Sequence, residues 1–178
     1  MINIYAMKLW KLSLVSVCAM VAWCALAHYS GKNIKGKKTF RIISVLMMVL
    51  AIYAIFAYTV LNRKAGGVHQ FVLVNQYNPE YFRELYMNGL LYLPLGLALS
   101  VFLGPWTILV AFLLSIGIEV WQYVAGTGLA QGTDVLMNTV GAAIGVIPVR
   151  INKYWRITEV DESESINYHI DLRSRTPK

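Results

Sequence analysis

LYMNGLLYLPLGLALSVFLGPWTILVAFLLSIGI, Leu85–Ile118, contains no charged side chain in 34 residues. As one helix it would run about 50 Å at 1.5 Å per residue, well beyond a bilayer core of roughly 30 Å. Gly104 and Pro105 divide it, and such a pair suits the end of one helix and the start of the next. The stretch therefore predicts two crossings joined by a tight turn, Leu85 to Leu103 and Trp106 to Ala125. Further uncharged runs at Leu12 to Tyr29 and Ile42 to Leu61 extend the pattern and predict helices over Leu9 to Tyr29 and Ile42 to Leu61.

Composition agrees. The chain has 178 residues, of which 57% are hydrophobic and 14% charged, with a mean hydropathy of +0.54, far from the balance of a soluble domain. A fifth helix is expected after Asp134. Its fifteen uncharged residues, Val135 to Val149, reach only about 22 Å, so it spans only by recruiting polar ends or thinning the bilayer. The expected fold class is all-α, a polytopic membrane helix bundle of about five transmembrane helices with a short fifth.

That bundle occupies residues 1–150 as one domain, followed by a polar tail over 151–178 expected to be disordered and cytoplasmic, with Tyr154 and Trp155 as interfacial anchors. The segments outside the spans are too short to bury a core, which excludes a soluble catalytic domain. In the longest connection, VHQFVLV reads as a short strand or an interfacial segment, and Tyr77, Tyr81 and Phe82 suit the headgroup zone.

The net charge is +7, and its distribution says more than its sum. GKNIKGKKTFR carries Lys32, Lys35, Lys37, Lys38 and Arg41 without an acid, and short basic loops of this kind stay cytoplasmic. This is a topology signal, and no nucleic-acid partner is expected. It places the N-terminus outside and the C-terminus inside, with eight basic residues near inner span ends, Arg150, Lys153 and Arg156 among them, against five near outer ends. Lys8 and Lys11 before an apolar run ending Ala25-Leu26-Ala27 also fit a signal peptide. Cleavage there would leave the basic loop outside, against the charge rule. Cys18 and Cys24 lie about 9 Å apart along the first helix, too far for a disulfide.

Polar groups inside spans are costly and face a bundle interior or a wet cavity. In the fourth helix Ser115, Glu119 and Gln122 follow steps of four and three; in the fifth, Asp134, Asn138, Gly141 and Gly145 follow steps of four, three and four. Each set is one stripe. With the basic loop inside, Arg63, Asn88, Glu119, Gln122 and Asp134 all fall in the outer part of the bundle. The candidate polar pocket is thus Arg63, Asn88, Ser115, Glu119, Gln122, Asp134 and Asn138. Gly141 and Gly145 form a G-x-x-x-G element suited to close helix packing, within the chain or in a homodimer.

Two readings of the cluster stand side by side. In one, Arg63 pairs with Glu119 or Asp134 in a buried network that fixes helix register. In the other, the cluster is a pocket open to the outer leaflet, with Arg63 holding an anionic headgroup bidentately and a carboxylate available for proton transfer. His69 lies on the outer loop and His28 at the inner end of the first helix. Two acids and one distant His lack the ligand count for zinc, so no metal is expected and no cofactor is implied. No nucleophile elbow, P-loop or H-E-x-x-H pattern is present, which makes catalysis the lesser expectation.

With these residues in view, the chain resembles the VanZ-like membrane proteins, a family named for a teicoplanin-resistance protein of glycopeptide-resistant bacteria. NGLLYLPLG (Asn88–Gly96, with Pro94) is similar to the family's N-x-x-x-F-x-P-x-G, SIGIEVWQ (Ser115–Gln122) to its S-x-x-[IL]-E-x-x-Q, and DVLMNTVGAAIG (Asp134–Gly145) to its D-x-x-x-N-x-x-G-x-x-x-G. Arg63 stands where the family often has an arginine. Tyr92 replaces the commoner Phe, and GTGLAQGTD places Gly128 and Gln131 where many members carry an arginine and extra aspartates. The resemblance implies a bacterial plasma membrane, a role at the cell envelope and low-level resistance to teicoplanin-like glycopeptides. It leaves three expectations in order: a binder of an outer-leaflet amphiphile or lipid-linked cell-wall component, a membrane-embedded enzyme modifying such a group, and a small lipid transporter or scramblase.

Overall fold

A computed structural model describes residues 18, 20–26, 34–61, 63, 66–67, 69–74 and 80–151. The fold is an all-α bundle. Helix α1 is described at residue 18 and over 20–26, α2 is Ile34–Phe56, α3 Tyr81–Leu103, α4 Trp106–Ala125 and α5 Gly132–Ile151. Four helices are long and apolar enough to cross a membrane: Lys38–Leu61, which continues α2 through a π-helical end at Ala57–Leu61, and all of α3, α4 and α5. Most of the expected first helix, Ala27 of the Ala25-Leu26-Ala27 sequence and the tail after Ile151 lie outside the described residues.

The Gly104-Pro105 break falls where the sequence places it. Gly104 ends α3 at φ +57°, a left-handed value that a side chain would strain, and donates its N–H to Ser100 O. Pro105, with helical φ and ψ, begins α4. Two expectations need correcting. The basic stretch is not only a loop, since α2 begins at Ile34 and carries Lys35, Lys37, Lys38 and Arg41 on helix. The fifth helix is not short. It has 20 residues, about 30 Å, because Asp134 and Asn138 turn inward and are buried while Leu136, Val140, Ile144 and Ile147 remain exposed on its other face. An inward-facing carboxylate therefore lengthens the span that a count of uncharged residues cuts short.

The core gathers around Tyr92 and Leu95 of α3, with Ala51 and Ile55 of α2, Ala111 and Ile118 of α4, and Ala142 of α5. Trp23 of α1 joins through Leu97 and lies 4.9 Å from the Phe40 ring. Glycines set the distance between α3 and α5. A Cβ on Gly141 would overlap the Gly89 carbonyl, one on Gly96 the Ala142 backbone, and one on Gly145 the Leu93 carbonyl and Leu97 N–H. The G-x-x-x-G face is thus filled by α3 of the same chain. Pro94, inside α3, removes one helical N–H and leaves the Leu90 carbonyl without its usual donor.

The long connection supplies a strand, as VHQFVLV allows. Phe71–Val72 (β1) pairs in parallel with Ala130–Gln131 (β2), Phe71 opposite Ala130 and Val72 opposite Gln131. Four further backbone bonds fasten the two connections: Gly66 and Gly67 N–H to Gly126 O, Ala130 N–H to Gln70 O, and Thr133 N–H to Leu73 O. This patch closes the end of the bundle where α2 and α4 finish and α3 and α5 begin. Phe82, 82% exposed at the start of α3, and half-buried Tyr81 lie at that same end.

Candidate functional site

Helical spacing brings Ser115, Glu119 and Gln122 inward from α4, and all three are buried. Asp134 and Asn138 of α5 are buried against them, and Asn88 of α3 is half-buried. Arg63 follows the π-helical end of α2 and remains largely exposed. The seven residues singled out by sequence therefore converge on one end of the bundle.

Their pairing differs from the expected ion pair of Arg63 with a buried carboxylate. Arg63 forms no salt bridge with Glu119 or Asp134. Its Nη1 donates to Gln122 Oε1 at 3.0 Å, and Gln122 Nε2 donates to Thr59 O at 3.2 Å. The last carbonyls of a helix have no partner within it, so Gln122 caps the end of α2 through Nε2 and holds Arg63 through Oε1. The guanidinium lies over Gly128, where a Cβ would come within 2.7 Å of Nη1. Gly128 thus makes room for it. Arg63 still acts on both carboxylates through space, as Glu84 does on Asp134.

Glu119 is 6% exposed. Its Oε2 accepts the Gln131 N–H at 2.7 Å, a bond that depends on β2 bringing the backbone over α4. Asp134 is hydrogen-bonded to Asn88. Asn138 Nδ2 donates to Ser115 Oγ at 2.8 Å, while Asn138 Oδ1 is buried without a partner. The Tyr92 hydroxyl approaches Ser115 without completing a well-formed bond. His69 Nδ1 lies 2.8 Å from Tyr123 O, with its ring edge-on to Tyr123, so it fastens the loop to α4.

Sequence reasoning missed two participants. Glu84 stands four residues before Asn88 and eight before Tyr92 on the inner stripe of α3, a spacing that was available to find it. The Gln131 contribution is a backbone N–H, and no residue pattern marks it. Among the described residues no group of three or more His, Cys, Asp or Glu is placed to hold a metal ion.

Beside this network lies a groove of about 500 Å³ between α4 and α5, roofed by the strand pair. Phe71, Phe112, Ile116, Val120, Tyr123 and Val135 line it, and Glu119 is the one charged residue among the described lining residues. Glu119 lines this groove, and the one hydrogen bond its carboxylate makes among the described residues is the Gln131 N–H on Oε2. A second groove of about 540 Å³, between the end of α2 and α4, is lined by Phe56, Val60, Leu113 and Trp121 and carries no charged group among its described lining residues. Of the two, the first joins an apolar channel to a carboxylate.

A family model described as VanZ/LLP1 matches residues 14–153, which takes in Arg63, all three sequence blocks and the strand pair. No curated protein and no solved structure matches the chain.

Proposed function

Because the chain belongs to the VanZ/LLP1 family, we propose that it works as a cell-envelope protein of the bacterial plasma membrane that binds an outer-leaflet amphiphile and contributes to resistance to teicoplanin-like glycopeptides. In this reading the basic stretch at the start of α2 faces the cytoplasm, as the positive-inside rule requires. The strand-capped end with its groove then faces outward. The single observation that carries the proposal is the groove: an apolar channel at the membrane-facing surface ending at one partly satisfied carboxylate.

Apolar chain and polar head can both be served there, the chain by Phe112, Ile116 and Val120 and the head by Glu119. A lipid-anchored drug partitions into the same leaflet, where a protein that engages amphiphiles is placed to limit its access to the cell wall. An enzymatic reading would ask Glu119 and Asp134 to work as acid and base. Glu119 lines the groove, whereas Asp134 does not line it and is tied to Asn88, which favours binding over proton transfer between the two.

Teicoplanin susceptibility of cells expressing wild type, Glu119→Gln or an empty vector tests the proposal. Wild type is expected to raise the inhibitory concentration and Glu119→Gln to return it toward the vector value. Equal susceptibility of wild-type and vector cells would sink it.

A further inference from the structure

We infer that the head group received in the α4–α5 groove is a primary ammonium, carried by a membrane lipid and set against Glu119, and that an anionic head set against Arg63 is not the ligand; this rests on the binding reading above. The groove has one charged wall, and its sign is negative. Glu119 stands on the groove wall with Oε2 fixed by the Gln131 N–H, the one hydrogen bond its carboxylate makes among the described residues. The cation that would reverse the local sign is turned elsewhere. Arg63 does not line the groove, donates to Gln122 and rests over Gly128.

An anion entering here meets repulsion from Glu119 and no cationic side chain among the described lining residues. An ammonium meets a charge-assisted acceptor, strengthened by an apolar wall that excludes water. Phe71, Phe112 and Tyr123 on the lining add aromatic rings, whose faces attract cations. The acyl chain follows the apolar wall between α4 and α5 toward the lipid-exposed face at Val120 and Phe112.

The test uses the full-length protein in nanodiscs and three photo-crosslinking probes. These share one diazirine-bearing alkyl chain and differ in the head: primary ammonium, hydroxyl or phosphate. Labelling is quantified by intact mass spectrometry. Glu119→Gln keeps an oxygen for the Gln131 N–H, so it removes the charge with the fold retained, and Val120→Trp fills the groove from the lipid side.

Wild type is expected to take the ammonium probe at least about tenfold more than the phosphate probe, a difference of about 1.4 kcal/mol. Glu119→Gln is expected to abolish that preference and leave hydroxyl labelling unchanged, and Val120→Trp to suppress all three. Equal labelling by all heads, or a phosphate preference lost in Arg63→Gln, overturns the ammonium assignment and leaves amphiphile binding standing. Labelling no higher in wild type than in Val120→Trp overturns both.

Discussion

Substituting Gly141 by alanine tests the close packing that holds the polar stripes together. The new Cβ would overlap the Gly89 carbonyl oxygen and lie 2.7 Å from the carbonyl carbon and 2.8 Å from Gly89 Cα. These are backbone atoms, so no rotamer change relieves the contact. Relief takes more than about 1 Å of separation between α3 and α5, and a gap of about 0.5–1 Å already forfeits about a quarter to a half of the dispersion energy across it. Overpacking of this kind costs about 1–3 kcal/mol, offset by about 0.5–1 kcal/mol from replacing a mid-helix glycine. The net expectation is a loss of about 1–2 kcal/mol.

Gly117 of α4 provides the control. A Cβ there meets nothing within 4 Å, so Gly117→Ala keeps only the gain of about 0.5–1 kcal/mol. The two variants should therefore differ by about 2 kcal/mol, roughly a thirtyfold change in the unfolding equilibrium. Titration with sodium dodecyl sulfate in mixed micelles, followed by tryptophan fluorescence and far-ultraviolet circular dichroism, reads that difference as a shift in midpoint. Equal midpoints for Gly141→Ala and Gly117→Ala would refute the assignment of Gly141 to an intrachain close approach.

Two more outcomes are expected. Gln122→Met leaves Thr59 O and the Arg63 guanidinium without their shared partner and should cost about 1–3 kcal/mol in the same titration; combining it with Arg63→Met should cost less than the two singles together, and strict additivity would argue that the bridge carries no coupling. In a background with Cys18 and Cys24 replaced by serine, Leu73→Cys, 71% exposed beside the strand pair, should react with a membrane-impermeant maleimide on intact cells. Reaction only after the inner face is opened would invert the orientation and move the groove to the cytoplasmic leaflet.

Much of the fold is legible along the chain because burial in lipid imposes local rules. The uncharged run from Leu85 to Ile118 had to break at Gly104-Pro105, and steps of three and four put Glu119 with Gln122 and Asp134 with Asn138 on inner faces. The same local counting failed at the fifth helix. It treated Asp134 as a boundary, whereas the residue is sheltered by Asn88 from another helix. Glu84 could have been read from the Asn88 and Tyr92 stripe, but a glutamate near a helix start looks like an ordinary terminal charge.

The sequence by itself determined the apolar spans, the turn between α3 and α4 and which faces carry polar or small residues, since each follows from spacing within one element. Only the tertiary structure decided who pairs with whom. Arg63 meets Gln122 across 59 positions, Glu119 meets a backbone N–H that exists there because Phe71–Val72 and Ala130–Gln131 pair, and Gly141 meets Gly89. Such choices depend on distances between elements and on backbone groups common to every residue. For the carboxylate at the centre, that packing supplies one backbone hydrogen bond and sets the side chain on the wall of an apolar groove.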